Sequence, residues 1–135
     1  YIAEQSKRYL ENDSIFIFFK TLESLRIENK LHTINTSKIT NDTPKTDILY
    51  SDDYVWIESV NVFAKIKLAC QNEGISFDLS RQELYQKLES EKLLITKDNR
   101  RSYEYRKGQF RQSVICLPRN NINRYWADDK EDIKL

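Results

Sequence analysis

The side chains that most enzymes use for catalysis are scarce in this chain. His32 is the only histidine among 135 residues, so a site built from two histidines is excluded, and we expect His32 at the surface or partly buried. The acidic residues Asp52, Asp53 and Glu58, and those in 128–132, are assigned to a turn and a tail rather than to a metal site. There are only two glycines and no GxxxxGK[S/T] motif to hold nucleotide phosphates. We therefore predict no catalytic site, metal ion, cofactor or small-molecule substrate.

Positive charge is concentrated in one part of the chain. Residues 81–125 carry 11 Lys and Arg against 5 Asp and Glu, a net charge of +6, whereas residues 1–80 have a net charge of −3 and residues 126–135 of −2. Clustered positive charge indicates a polyanionic partner, and a basic surface that is merely solvated is the alternative. The residues predicted to bind DNA are Arg81, Gln82, Tyr85, Gln86, Lys97, Arg100, Arg101, Arg106, Lys107 and Arg111.

Two helix-start patterns agree at the beginning of this basic region. Ser80 and Glu83 have the spacing of a capping box, and Leu79 with Leu84 has that of a hydrophobic staple. Leu84 and Leu88, one turn apart, then face the core. The outward face of this predicted helix, residues 80–91, carries Arg81, Gln82, Tyr85, Gln86 and Glu89. Arg and Gln are side chains that make bidentate contacts with base edges, so this helix is a candidate reader of the major groove.

A basic insert between two apolar segments follows the helix. Residues 93–95 and 114–117 are predicted strands, and Lys107-Gly108 between them predicts a turn. Tyr103, Tyr105 and Phe110 alternate with the basic residues, and alternation turns one set of them toward the core. We therefore assign the insert to phosphate contact rather than to base stacking, which predicts salt-sensitive binding that tolerates many sequences.

The remaining segments predict an α+β protein. Apolar spacing predicts a short helix over residues 1–11 and an amphipathic helix over residues 15–29, although 15–19 also has strand-like composition. A mobile polar loop is expected at 35–46 and a hairpin at 48–57. Ser59 is the predicted cap of a further helix, whose inner face carries Val62, Phe63, Ile66, Ala69 and Cys70 and which Gly74 ends.

This order of elements predicts a winged-helix domain with an extra N-terminal helix and a short β-hairpin insertion. We place the N-terminal helix or linker at residues 1–13, the winged-helix domain at 14–119 and an acidic tail at 120–135. Cys70 and Cys116 lie in apolar segments, so free buried thiols and a reducing, cytoplasmic location are expected. No membrane span or signal peptide is evident. The chain begins with Tyr and contains no Met, which suggests a fragment of a larger protein.

The same order of segments resembles one family. The segments are IFIFFKTLESLRIENK, a variable loop, YVWIESVNVFAKIKLACQNEGISFDLSRQELYQKLESEKLLI and a basic wing. Over residues 15–117 they resemble the C-terminal winged-helix domain of MCM-like AAA+ replicative helicases carried by bacterial mobile genetic elements, the cassette chromosome helicase type. The resemblance rests on spacing and apolar pattern, and the loop at 35–46 and the acidic tail depart from it. It implies an accessory domain that engages DNA for a motor located elsewhere in the parent protein.

The sequence therefore leaves three functions open. The first is an accessory domain of a replication protein that binds DNA, duplex rather than single-stranded. The alternative is a winged-helix module that docks a protein partner or a neighbouring subunit through Tyr85, Trp56 and the predicted hairpin. A free-standing transcription regulator is the third, but no dimer interface is recognisable for it.

Overall fold

A five-stranded sheet organises residues 14–126, the part of the chain that the computed structural model describes. Its strand order is β1-β2-β3-β5-β4, with β1 and β2 parallel and the other neighbours antiparallel. The strands are β1 (Thr33–Asn35), β2 (Ile48–Tyr50), β3 (Tyr54–Glu58), β4 (Ser102–Lys107) and β5 (Phe110–Pro118). The α-helices within these residues are α1 (Ser14–Ile27), α2 (Asn61–Asn72), α3 (Arg81–Ser90) and α4 (Arg119–Asn123). The predicted α+β class is confirmed, whereas the helix predicted at residues 1–11 lies outside the described residues.

Helices α1, α2 and α3 cover one face of the sheet, which we call the inner face. Alternation along β3 and β5 turns Val55, Ile57, Ile115 and Leu117 toward these helices, and all four are buried. The apolar face of α1 packs against the same layer through Ile15, Phe18, Phe19 and Leu22. The helical prediction for residues 15–29 is therefore confirmed, and the strand alternative for 15–19 is wrong. Burial of an apolar stripe at helical spacing outweighed the β-branched composition.

The start of α2 differs from the prediction. Ser59 does not cap this helix, because its hydroxyl is hydrogen-bonded to the Ser113 hydroxyl at 2.6 Å. The Glu58 carboxylate takes its place and accepts hydrogen bonds from the amides of Val60, Asn61 and Val62. A carboxylate is favoured there because amide groups at a helix N-terminus are unpaired and carry partial positive charge. The predicted stop is confirmed, since Gly74 follows the helix with a φ of +71°.

The opposite face of the sheet, which we call the outer face, has a small apolar cluster of its own. Its buried members are Ile39, Leu49 and Phe110, with Trp56 and Tyr105 packed against them. Ile39 belongs to the segment 35–46, which was predicted as a mobile polar loop. The segment does contain irregular structure, but it is anchored to the β4–β5 hairpin by several hydrogen bonds. These bonds join the Thr46 amide to Gln112 Oε1 and the Gln109 amide to Asn41 Oδ1.

The hairpin at 48–57 and the end of the described chain are more central than expected. The predicted hairpin is formed by β2 and β3, and β3 lies in the middle of the sheet. The first residues of the predicted tail form α4 and then pack on the core. Ile122 and Trp126 are buried, and Trp126 Nε1 donates to the Phe19 carbonyl at 2.9 Å. The packed part of the chain therefore continues at least to residue 126.

Candidate nucleic-acid interface

Helix α3 begins where the sequence predicted. The Ser80 hydroxyl accepts from the Glu83 amide at 3.1 Å, and the Glu83 carboxylate accepts from the Ser80 amide at 3.0 Å, so the capping box is complete. The bond from the Ser80 amide lowers the pKa of the Glu83 carboxyl below its usual value. Leu84 and Leu88 are both fully buried beneath the helix. The orientation of α3 about its own axis is thereby fixed, together with the set of side chains that can reach solvent.

Two of the four predicted contact residues on α3 are well exposed. Gln82 and Gln86 lie one turn apart on the solvent face, as predicted. Arg81 is only partly exposed, and its Nη1 donates to the Ser59 carbonyl at 3.4 Å. A long guanidinium can leave such a bond at small cost. The candidate base-reading face of α3 is therefore the pair of glutamines, with Arg81 at its edge.

The predicted outward position of Tyr85 is wrong. Its side chain is 4% exposed and belongs to the inner core, and its hydroxyl donates to the Ser59 carbonyl at 2.5 Å. Burial also raises the pKa of the Tyr85 hydroxyl well above its ordinary range. The residue follows Leu84, so helical spacing places it at the margin of the apolar stripe, where a long ring can turn inward. Tyr85 can contribute neither to a DNA contact nor to a protein-docking surface.

The basic insert forms a longer hairpin than the sequence suggested. The predicted first wing strand at 93–95 contributes one bridge, Ile95 to Cys116. A two-residue turn at Asp98 and Asn99, both with positive φ, then reverses the chain. The next segment, β4, pairs with β5 along its whole length up to the turn at Gly108, which has a φ of +59°. We call the β4–β5 hairpin together with the turn at residues 97–100 the wing.

Two of the six predicted wing cations have carboxylate partners. Arg101 Nε donates to Glu89 Oε1 at 2.7 Å, which ties the wing to the end of α3. Arg106 Nε donates to Glu104 Oε1 at 2.6 Å on the same strand. Both pairs are substantially solvent-exposed, so each contributes little to folding and can be exchanged for a phosphate contact. Arg101 is best described as a link between the two candidate elements.

The other four wing cations make no side-chain ion pair within the described residues. Arg100 and Arg111 are exposed. Lys107 Nζ donates to the Thr36 carbonyl, and Lys97 Nζ lies 5.2 Å from the centre of the Tyr103 ring. Arg111 is the direct cross-strand partner of Arg106, so two guanidinium groups project from one side of the hairpin near its tip. Like charges held side by side without a carboxylate for each are typical of a surface that binds an anion.

The structure also reveals aromatic residues that the sequence prediction did not include in the site. Tyr54 and Trp56 alternate with the buried Val55 and Ile57 along β3, so their rings lie on the outer face. Trp56 Nε1 donates to the Tyr103 hydroxyl at 3.2 Å. The strand-like alternation in YVWIE predicts this orientation once β3 is known to be central. The missing information was the position of β3 next to β5.

The scarce catalytic residue types are dispersed. His32 is exposed, and its backbone amide donates to Asp47 Oδ2 at 2.8 Å. Among residues 14–126, His, Cys, Asp and Glu side chains do not gather into a group of three or more that could hold a metal ion. Cys70 and Cys116 are free and buried, and burial raises the pKa of Cys116 to about 11. None of the described helices has the length and apolar composition that a membrane crossing requires.

No protein-family model matches the chain, and no curated protein shows significant sequence similarity to it.

Proposed function

We propose that residues 14–126 form a winged-helix domain that binds duplex DNA, with the wing on the phosphate backbone and α3 against the major groove. The arrangement of elements supports this reading. Two helices, α2 and α3, are joined by a short connection, and the hairpin that follows α3 pairs with an earlier strand of the sheet. In a winged helix the second of these helices enters the groove while the hairpin lies along the backbone.

The observation that carries the proposal is the uncompensated charge of the wing. Arg100 and Arg111 are exposed without an ion-pair partner in the described part of the chain, and Arg106 projects beside Arg111. Exposed cations of this kind attract the phosphate backbone whatever the base sequence. Base reading then falls to Gln82 and Gln86, whose amides can pair with adenine edges. Tyr85 has no part in it.

The second part of the proposal concerns the parent protein. The resemblance over residues 15–117 to MCM-like AAA+ helicases of mobile elements supports an accessory role in replication, in the cytoplasm, for a motor outside this domain. The rival, a protein-docking module, loses Tyr85 from its proposed surface because that side chain is buried. Co-purification of this domain with the remainder of the parent protein, with and without DNA, separates the two functions.

A charge-reversal experiment tests the DNA contact. Arg100 and Arg111 are better targets than Arg101, because reversing Arg101 would also place two carboxylates together at Glu89. We expect Arg100→Glu combined with Arg111→Glu to abolish most binding to a labelled duplex in fluorescence anisotropy at low salt. The matched control is Lys67→Glu combined with Arg124→Glu, which changes the net charge equally outside the wing and α3. Equal affinities of the two double variants would refute the proposal.

A further inference from the structure

The outer face of the sheet carries a continuous row of aromatic rings. The ring centres are 6.0 Å apart for Tyr54 and Trp56, 5.1 Å for Trp56 and Tyr105, and 6.3 Å for Tyr105 and Phe110. Phe110 is buried, but Trp56 and Tyr105 are only partly so, and Tyr54 is 41% exposed. The helices lie on the other side of the sheet, and on this side the segment 35–46 covers part of the row through Ile39, which packs with Phe110 and Tyr105.

An open pocket of about 660 Å³ lies beside this row, between the turn at 97–100 and the outer side of β4. Its aromatic lining is Trp56, Tyr103 and Tyr105. The bond from Trp56 Nε1 to the Tyr103 hydroxyl fixes two of these rings relative to each other, and the Tyr103 hydroxyl is also close to the Cys116 thiol. The aromatic surfaces are thus held in place before any ligand arrives, which lowers the conformational entropy lost on binding.

The charged groups around the pocket indicate what kind of ligand it fits. Lys97, Arg100 and Arg106 line it together with the carboxylates of Asp98 and Glu104. Glu104 is already bonded by Arg106, so Lys97 and Arg100 outnumber the remaining carboxylate at the mouth. Aromatic rings within a frame of cations complement a flat, π-rich group that is joined to an anion. A nucleotide unit of a single strand has this composition.

Duplex DNA does not fit this pocket in the same way. Its bases are stacked on one another and expose only their edges in the grooves, so their faces cannot reach recessed rings. We propose that the outer face binds single-stranded nucleic acid, with one unstacked base against Trp56 and Tyr105 and the flanking phosphates on Lys97 and Arg100. This site shares Arg100 with the proposed duplex surface, but its aromatic rings lie on the other side of the sheet from α3. A domain with both surfaces can sit at a junction between duplex and single strand.

The proposal is tested with a fluorescein-labelled oligothymidylate of about 12 nucleotides, within the length range that single-strand-binding folds occupy. We expect Tyr105→Leu to weaken its binding by roughly 5- to 150-fold, because removal of one stacked aromatic has about that effect. The matched control is Tyr54→Leu, which removes a ring of the row that does not line the pocket. We expect this variant to bind the oligothymidylate with the wild-type affinity. Lys97→Glu, which reverses the charge of an exposed side chain at the pocket, weakens the binding as well.

Two further measurements separate this site from the duplex surface. Arg111→Glu should weaken duplex binding and leave oligothymidylate binding unchanged, whereas Tyr105→Leu should do the reverse. Ultraviolet crosslinking of an oligonucleotide that contains 5-iododeoxyuridine should attach it to Trp56, Tyr103 or Tyr105. The inference is overturned if the oligothymidylate does not bind at low salt, if Tyr105→Leu and Lys97→Glu both bind it normally, or if crosslinks fall only on α3. If Arg111→Glu loses duplex binding while Tyr105→Leu and Lys97→Glu bind the oligothymidylate normally, the proposed duplex-binding function is supported and the single-strand site is refuted.

Discussion

The burial of Tyr85 can be tested by mutation, and the result shows which side of α3 faces the solvent. The substitution Tyr85→Phe removes only the hydroxyl, which donates to the Ser59 carbonyl from a side chain that is 4% exposed. A net hydrogen bond contributes about 0.5–1.5 kcal/mol, and a buried acceptor left without a partner costs about 1–3 kcal/mol. Arg81 Nη1 reaches the same carbonyl at 3.4 Å, so the acceptor keeps one weak partner. We therefore expect a loss of about 1–1.5 kcal/mol in the free energy of unfolding.

The assay is urea denaturation followed by circular dichroism. The midpoint should fall with an unchanged slope, which shows that the native state rather than the surface exposed on unfolding has changed. The loss corresponds to a decrease of roughly 3–8 °C in Tm for a domain of this size. Gln86→Ala is the control, because it alters an exposed neighbour on the same helix and should change stability by less than about 0.5 kcal/mol. Duplex affinity should be unchanged in Tyr85→Phe and reduced in Gln86→Ala. The reverse pattern, with normal stability and weaker DNA binding in Tyr85→Phe, would refute the buried placement.

Two further predictions concern the tyrosines and the wing turn. Burial raises the pKa of Tyr85 and Tyr105, and it raises the pKa of Tyr103 to about 12. The free energy that these neutral hydroxyls contribute to folding is therefore fully present below the ordinary tyrosine pKa of 10.0 and is lost as the pH rises above that value. The thiols of Cys70 and Cys116, whose pKa values burial also raises, lose their contribution to stability from about pH 8.5 upward. The urea midpoint should therefore be flat up to about pH 8, begin to fall above it and fall more steeply above about pH 10, and a midpoint that stays constant through that range would contradict the burial. Both Gly74→Ala and Gly108→Ala should cost about 1 kcal/mol because φ is positive at each site. Gly108→Ala should cost about 0.5–1.5 kcal/mol more than Gly74→Ala in the same urea assay. A Cβ at position 108 would lie 2.5 Å from Asn41 Oδ1 and displace the hydrogen bond that this oxygen accepts from the Gln109 amide. Equal losses for the two variants would argue against the contact between the segment 35–46 and the wing.

Local sequence rules predicted the helices well because their determinants are close together in the chain. The capping box at Ser80 and Glu83 and the glycine at position 74 act within a few residues of the boundary that they set. The apolar stripe of α1 could be predicted for the same reason. Ser59 misled the prediction because its hydroxyl has a partner on β5, 54 positions away, and Glu58 was free to cap α2 instead.

The site depended on long-range pairing, and there the sequence was less informative. The wing cations were recognised by composition, but their ion pairs with Glu89 and Glu104 were not predicted. The outer aromatic row joins β3 to β4 across β5, so its existence follows from sheet order and not from any local pattern. Tyr85 was misplaced because a residue at the edge of a helical stripe can turn either way, and the Ser59 carbonyl decided the direction.

The most direct test of the central claim is the salt dependence of duplex binding. Each phosphate contact made by a cation contributes about −0.9 to the slope of log K against log salt concentration. If Arg100 and Arg111 each contact one phosphate, the variant in which both are changed to Glu should have a slope shallower than wild type by about 2. The control double variant at Lys67 and Arg124 should keep the wild-type slope. Equal slopes for all three proteins would contradict the claim that the wing is the phosphate-binding element.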